Sequence, residues 1–460
     1  MTEEAWTGRR LHFVGIGGAG MSGLALVARA LGAEVTGSDR AESSYMGPLR
    51  EAGVEPVIGH DAANVPAGSE VVVSTAIADD NPELAAARGN GATVLHRSDL
   101  LAEISRLRRC IAIAGTHGKT TTACMTAHAL IEAGRSPSYL IGGDLLTTGR
   151  NADWGEGEWL VVEADESDGS FLKLAPDVAV VTNVELDHHA TYHSALEVER
   201  AFADFARAAG RTVAGESALD GEADLTFGVD AGEVAATDLE LSAGGSRFRA
   251  LGVTVELGVP GRHNVLNALA ALIACREAGL DPAEAAAALH TFPGAGRRLE
   301  RRGTTAGGAE VYDDYAHHPT EVRAALEAAR LLAPQRLVAC FQPHLYSRTR
   351  AMARDFGRAL ALADLVSVLD VYPARERAED FPGVSGWLVA AAAADAAGGR
   401  PVYWTPNMDE AEELLRAELR RGDLAITIGA GDVDRLAGRL VAHGDAGESA
   451  PEAATRARGR

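Results

Sequence analysis

Several short runs in this 460-residue chain combine residue types and spacings that could handle phosphate, a divalent metal and a small acid. Ala114, Gly115, Thr116, His117, Gly118, Lys119, Thr120 and Thr121 follow an apolar stretch and precede a helical pattern. Glycine turns of this kind let backbone N–H groups cradle phosphates. The Lys119 ammonium can reach the terminal oxygens, and the Thr120 hydroxyl can hold Mg2+. The standard first glycine falls at Ile113, so the match is to a shortened phosphate loop. Downstream, acids and histidines cluster at the ends of two apolar runs, at 163–168 and 183–189. Each run alone reads best as a solvated loop. Behind a phosphate loop, carboxylates at neighbouring strand ends face the phosphates and a neutral imidazole can also bind a metal, so the two clusters together favour metal binding.

A second glycine turn, with Gly15, Gly17, Gly18 and Gly20, follows a strand pattern and precedes a helical one, with Asp39 about 20 residues on. The backbone there can approach a diphosphate at a helix N-terminus. NAD is the usual occupant, with Asp39 on a ribose hydroxyl, and a plain packing turn is the structural alternative. His263 and Asn267 are four apart and share a helix face. A helix cap at Asn264 beside a surface histidine is the better reading of these residues alone. In the last third, Arg297, Arg298, Asp313, Asp314, Tyr315, His317 and His318 precede Gln342, His344, Arg348 and Arg350. Arginine forks suit phosphate or carboxylate. Thr320 and Glu321 are also an ordinary helix-capping signal.

The elements that must position these groups follow from hydrophobic patterning. Short apolar runs alternate with helical stretches, which predicts βαβ units and parallel sheets. Strands are expected at 11–15, 34–38, 70–74, 110–114, 159–164, 178–182, 336–341, 365–371, 401–404 and 424–428. The segment 210–258 is Gly-rich with short alternating runs and reads as antiparallel strands. The length allows two to four domains, at roughly 100–200 residues each. Hydrophobic residues at 47% and charged residues at 23% exclude overall disorder. A formal charge of -22 argues against broad nucleic-acid binding but leaves a local phosphate site open. Four scattered cysteines make no CxxC pair and suit a reducing cytosol. No signal peptide or membrane span is read, and residues 446–460 read as a disordered tail.

The motifs in order are HFVGIGGAGMSG at 12–23, AGTHGKTTT at 114–122, EADESDGSF at 163–171, TNVELDHH at 182–189, GRHNVLNALAA at 261–271, FPGAGRRLE at 292–300, YDDYAHHPTE at 312–321 and FQPHLYSRT at 341–349. Together they resemble the Mur ligase family, over roughly 11–440. The resemblance implies three α/β domains. A Rossmann-like domain at 1–107 would bind a UDP-sugar, through Gly15, Gly17, Gly18, Gly20, Ser22, Asp39, Ser74, Thr75 and Arg97. A central P-loop domain at 108–291 with extra antiparallel strands would bind ATP and two Mg2+ ions. A C-terminal Rossmann-like domain at 292–445 would close on ATP and the amino acid.

Within the family, the first glycine motif looks like the branch that joins L-alanine to UDP-N-acetylmuramate through an acyl phosphate. Lys119 would neutralise the β/γ-phosphates. Thr120 and Glu163 would hold one Mg2+, and His188 the other. His263 and Asn267 would contact the nucleotide, and Arg298 and Asp313 would reach ATP from the far side of the cleft. Tyr315, His317, His344 and Arg348 would form the alanine site. Some members carry Arg where this chain has Leu345, which would leave the alanine carboxylate more dependent on Arg348. The expected setting is a cytoplasmic monomer or homodimer without nucleic-acid or membrane partners. The alternatives are a ligase that recycles a tripeptide onto the same UDP-sugar, and an NAD-dependent dehydrogenase.

Overall fold

The computed structural model describes residues 2–188, 191–219 and 221–442. The tail expected at 446–460 and His189 of the second acidic cluster lie outside the described residues. The chain forms three sheet-centred α/β domains, grouped in two compact units, Met1–Arg298 and Leu299–Arg460. Among the described residues, no helix is long and apolar enough to cross a membrane.

The first domain holds β1 (Arg10–Val14), β2 (Glu34–Asp39), β3 (Val57–Ile58), β4 (Glu70–Val73) and β5 (Val94–His96), in the order β3-β2-β1-β4-β5. All pairs are parallel. Leu11, Phe13 and Val14 are buried, as a strand covered on both faces requires. Strand order reverses direction at β1, which opens a crevice at its carboxyl end. The turn at 15–20 leaves β1 at that crevice.

A buried polar knot sits at the same end of the sheet. Glu83 is fully buried and accepts from Ser38 Oγ (2.6 Å) and Asn64 Nδ2 (2.7 Å), with His12 Nε2 at 3.3 Å. Burial alone would push its carboxyl up, but the bonds from His12, Ser38 and Asn64 outweigh it and hold the group near 2. This stabilisation is present above the ordinary value of 4.5 and is lost as pH falls through about 2. It amounts to on the order of 3 kcal/mol. In thermal unfolding across that window, the wild type should therefore lose more stability than Glu83→Gln. Parallel losses would contradict the assignment.

The central domain holds β6 (Arg109–Ala114), β7 (Ser138–Leu145), β8 (Arg150–Asp153), β9 (Trp159–Glu163), β10 (Val178–Val181), β11 (Arg211–Gly215), β12 (Leu225–Val229), β13 (Val234–Ser242), β14 (Gly245–Ala250) and β15 (Val253–Leu257). Their order is β15-β14-β13-β12-β11-β10-β6-β9-β7-β8. The segment 210–258 corrects the sequence expectation. β11, β12 and the start of β13 continue the parallel sheet, and only β13, β14 and β15 pair antiparallel. Val213, Ala214 and Phe227 are buried, which parallel packing demands. Their runs are too short and glycine-broken to announce it. The helix Ala19–Ala30 packs on β7 and β8, and a single apolar core runs from Phe13 and Leu24 to Leu140, Ala152 and Val162.

The first unit reaches Arg298 because 292–298 is tied to the end of β7. Leu145 bridges Ala295, and Gly296 N donates to Asp144 O (2.9 Å). The second unit holds β16 (Glu300–Thr304), β17 (Glu310–Asp314), β18 (Arg336–Phe341), β19 (Leu365–Val368), β20 (Val402–Trp404) and β21 (Asp423–Ile428), in the order β16-β17-β21-β18-β19-β20. Only β16 runs antiparallel.

Candidate active site

The central phosphate loop emerges from β6 between β9 and β10, so topology alone brings both acidic clusters to its flanks. Ile113 lies within β6, which is why the loop is short. Gly115 (φ +133°) and Gly118 (φ +82°) make the turn into the helix Lys119–Glu132. A Cβ on Gly115 would lie 2.0 Å from Thr182 Oγ1, and one on Gly118 would lie 2.3 Å from Asn267 Oδ1. Asn267 therefore packs against the loop and also accepts from Thr122 Oγ1 (3.3 Å). His263 is half-buried on the first turn of the same helix, Arg262–Glu277. The cap of that helix is Gly261, not Asn264, whose amide donates to Pro260 O.

The loop backbone is fixed from β10. Asn183 Oδ1 accepts from His117 N (2.9 Å), and Thr182 Oγ1 donates to His117 O (2.6 Å). Thr116 exchanges two hydrogen bonds with the Glu185 backbone, and Thr121 is buried. Lys119 Nζ donates to Gly115 O (2.6 Å) and Thr116 O (3.1 Å) and lies 2.8 Å from Glu166 Oε2. Burial would lower its pKa, but Glu166, Asp165 and Glu163 outweigh that and hold the ammonium charged, above its ordinary range.

Thr120 and Glu163 meet as expected. Thr120 Oγ1 donates to Glu163 Oε1 (2.9 Å), and Glu163 Oε2 accepts from Gly142 N (2.7 Å). His188 has a left-handed backbone (φ +52°), and its Nε2 lies 3.3 Å from Glu166 Oε1 and 3.7 Å from Asp187 Oδ2. Hydroxyl and carboxylate oxygens of this kind suit Mg2+, and an imidazole among carboxylates also suits a divalent ion. Arg298 departs from its expected place across the cleft. Its Nη2 donates to Thr120 Oγ1 (3.3 Å), because 292–298 packs with the first unit.

At the first glycine turn, Gly15 N and Ile16 N both donate to Ser38 O, and Gly17 N donates to Asp39 Oδ2 (2.9 Å). Gly18 caps the helix that contains Gly20 and Ser22. Ser74 and the exposed Thr75 follow β4 on the neighbouring side of the crevice. Ser22 is placed differently from its expected role. It is fully buried, donates to Ala19 O (3.0 Å) and accepts from Asn151 Nδ2 (3.2 Å), so its hydroxyl serves packing. Arg97 opens the helix Arg97–Ser105 and binds Asp165 Oδ2 (2.8 Å) and Asp168 Oδ2 (3.3 Å) through Nη2. Burial would raise the Asp165 carboxyl, but Arg97 and Lys119 hold it near 2.

In the second unit, the loops after β17, β18 and β19 meet. Tyr315, His317, His344 and Tyr372 form a ladder of rings with successive centroids 5.5, 6.0 and 5.7 Å apart. Arg348 is buried, with Nη1 3.4 Å from His344 Nδ1. Asp313 is buried and accepts from Thr427 Oγ1 (2.6 Å). Leu345 holds φ +70° between His344 and Arg348, a strained position for a leucine. Glu321 accepts from the His317 and His318 amides and completes a capping box with His318, so this part of the motif is structural.

Glu166 and Tyr372 received no role from the sequence. Glu166 stood inside the quoted acidic run, three places after Glu163. Tyr372 was visible only as an aromatic after a strand end.

A switch-point glycine turn, a phosphate loop flanked by carboxylates and a third α/β domain with a buried arginine describe a three-domain nucleotide-dependent ligase. The chain belongs to the Mur ligase family. Residues 10–109 match the family's catalytic domain, 113–275 its middle domain and 297–431 its glutamate ligase domain. It is similar to UDP-N-acetylmuramate–L-alanine ligase of Rubrobacter xylanophilus, with 45% identity over 94% of this chain and 99% of that one. The enzyme of the same description from Streptomyces coelicolor is 46% identical, over 94% and 97%. The crystal structure of UDP-N-acetylmuramate–alanine ligase from Thermotoga maritima superposes with a TM-score of 0.82 at 30% identity, over 94% and 98%.

Proposed function

We propose that this chain is an ATP-dependent ligase joining L-alanine to the lactyl carboxylate of UDP-N-acetylmuramate, in the cytoplasm, for peptidoglycan precursors. The observation that carries the reading is the near full-length similarity to two ligases described by that reaction. The NAD alternative leaves the phosphate loop and its carboxylates without a role. The sugar nucleotide would sit on the domain at 1–107, ATP on the central domain extended to Arg298, and the domain that begins at Leu299 would close the site.

A carboxylate is a poor acylating agent, so amide formation must be coupled to phosphoryl transfer. A lactyl carboxylate oxygen attacks the terminal phosphorus of ATP, the bond to the β-phosphate oxygen breaks, ADP leaves and an acyl phosphate remains. The amine of alanine then attacks the carbonyl, and phosphate leaves. Both steps build negative charge, which fixed cations stabilise. Lys119 stands over the loop that would cradle the phosphates. Arg298 would reach them beside Thr120. Thr120 and Glu163 would hold one Mg2+ and His188 a second, and these ions would neutralise phosphoryl charge. Glu166 holds Lys119 and His188 in register. Arg348 would take the alanine carboxylate, with Tyr315, His317 and His344 around it.

His188→Ala should raise the Mg2+ concentration for half-maximal activity roughly tenfold or more. An unchanged metal dependence would remove His188 from the ligand set. The reaction itself is tested by phosphate release from ATP with UDP-N-acetylmuramate, comparing L-alanine, a panel of amino acids and the tripeptide. L-alanine should give the highest kcat/KM. A preference for the tripeptide would assign the chain to the recycling reaction.

A further inference from the structure

Arg97 faces two sites at once. Nη2 holds Asp165 (2.8 Å) and Asp168 (3.3 Å), while Nη1 lies 3.6 Å from where a Cβ on Gly20 would be, beside the first glycine turn. Among the described residues, Nη1 makes no hydrogen bond to protein. The two aspartates also set the shape of their own loop, because Asp165 Oδ1 accepts from Ser167 N and Asp168 Oδ1 from Ser170 N, each at 3.0 Å. That loop carries Glu166, which lies 2.8 Å from Lys119 Nζ and 3.3 Å from His188 Nε2. One chain of contacts thus runs from the glycine turn through Arg97 and the acidic loop to the phosphate-loop lysine.

We propose that Arg97 is a positioning residue that couples occupation of the sugar-nucleotide turn to the acidic loop of the ATP site. The inference rests on the sugar-nucleotide reading above. A guanidinium offers five N–H donors in a rigid fork, so one end can take an anionic oxygen of the sugar nucleotide while the other keeps both aspartates. An anion on Nη1 fixes the guanidinium, the guanidinium fixes Asp165 and Asp168, and Glu166 then presents Lys119 in one place. Coupling of this kind is reciprocal: each ligand must change the affinity of the other by the same factor.

The test is a binding square with ADP plus Mg2+ as one probe and UDP-N-acetylmuramate as the other, on the full chain, with thermal melting to confirm that each variant is folded. In the wild type, saturating UDP-N-acetylmuramate should shift the ADP Kd by about fivefold or more, and ADP should shift the sugar-nucleotide Kd equally. In the Asp165→Asn/Asp168→Asn double variant, which retains Arg97, both ligands should still bind while the factor falls to within about twofold of unity. Arg97→Lys keeps the charge but loses the fork, so it should also lose most of the factor. A wild type that binds both ligands independently, or a double variant that keeps the full factor, would overturn the coupling role. A wild type that does not bind UDP-N-acetylmuramate would overturn the functional reading itself.

Discussion

Lys119→Ala should lower ATP-dependent phosphate release by roughly three orders of magnitude. The wild-type ammonium is held charged among Glu163, Asp165 and Glu166, and its Nζ is pinned over the loop by two backbone carbonyls. No other lysine lies in the loop or its helix, so nothing local can replace the charge. Removing it also leaves Glu166, only 2% exposed, without its closest cation. Lys119→Arg should not restore the rate, because a planar fork does not fit a point-charge site between two carbonyls. Turnover within tenfold of the wild type in Lys119→Ala would remove the phosphate-loop assignment.

Gly115→Ala should have the second largest effect, on both stability and rate. Its φ of +133° is one that side chains rarely adopt, and the added Cβ would fall 2.0 Å from Thr182 Oγ1. Thr182 cannot swing aside freely, because its hydroxyl holds His117 O at 2.6 Å. Strain and overpacking together should cost about 2–5 kcal/mol and displace the loop that faces the phosphates. Gly134 provides the comparison. Its φ is +69°, but nothing lies within 4 Å of its added Cβ. Gly134→Ala should cost only about 1 kcal/mol and keep its activity. Equal losses in melting temperature for the two variants would show that crowding at Gly115 is not what fixes the loop.

Much of the site was legible because its geometry follows from short-range rules. A glycine turn between an apolar strand and a helix places its amides at a helix N-terminus wherever it occurs. Two further strands ending in acids, if they flank that strand, must deliver Glu163 and His188 to the same edge. The sequence could not show which strands are neighbours, and sheet order alone decides that β9 and β10 lie on either side of β6. Long-range pairing also explains the differences. Arg298 joins Thr120 because Ala295 and Gly296 pair with the end of β7, a contact no local pattern announces. Ser22 is spent on Asn151, far along the chain. Tyr372 becomes part of the ring ladder only because β19 pairs with β18. The parallel strands at 211–215 and 225–229 lacked a continuous apolar run, so their direction came from partners and not from their own residues.

Of these assignments, carboxylate activation by phosphoryl transfer is the central one, and isotope transfer tests it most directly. UDP-N-acetylmuramate labelled with 18O in both lactyl carboxylate oxygens is turned over with ATP and L-alanine, and the released phosphate is analysed by mass. An acyl phosphate requires each phosphate to carry one labelled oxygen, taken from the carboxylate when alanine displaces it. Phosphate free of label, released in step with amide formation, would contradict the account.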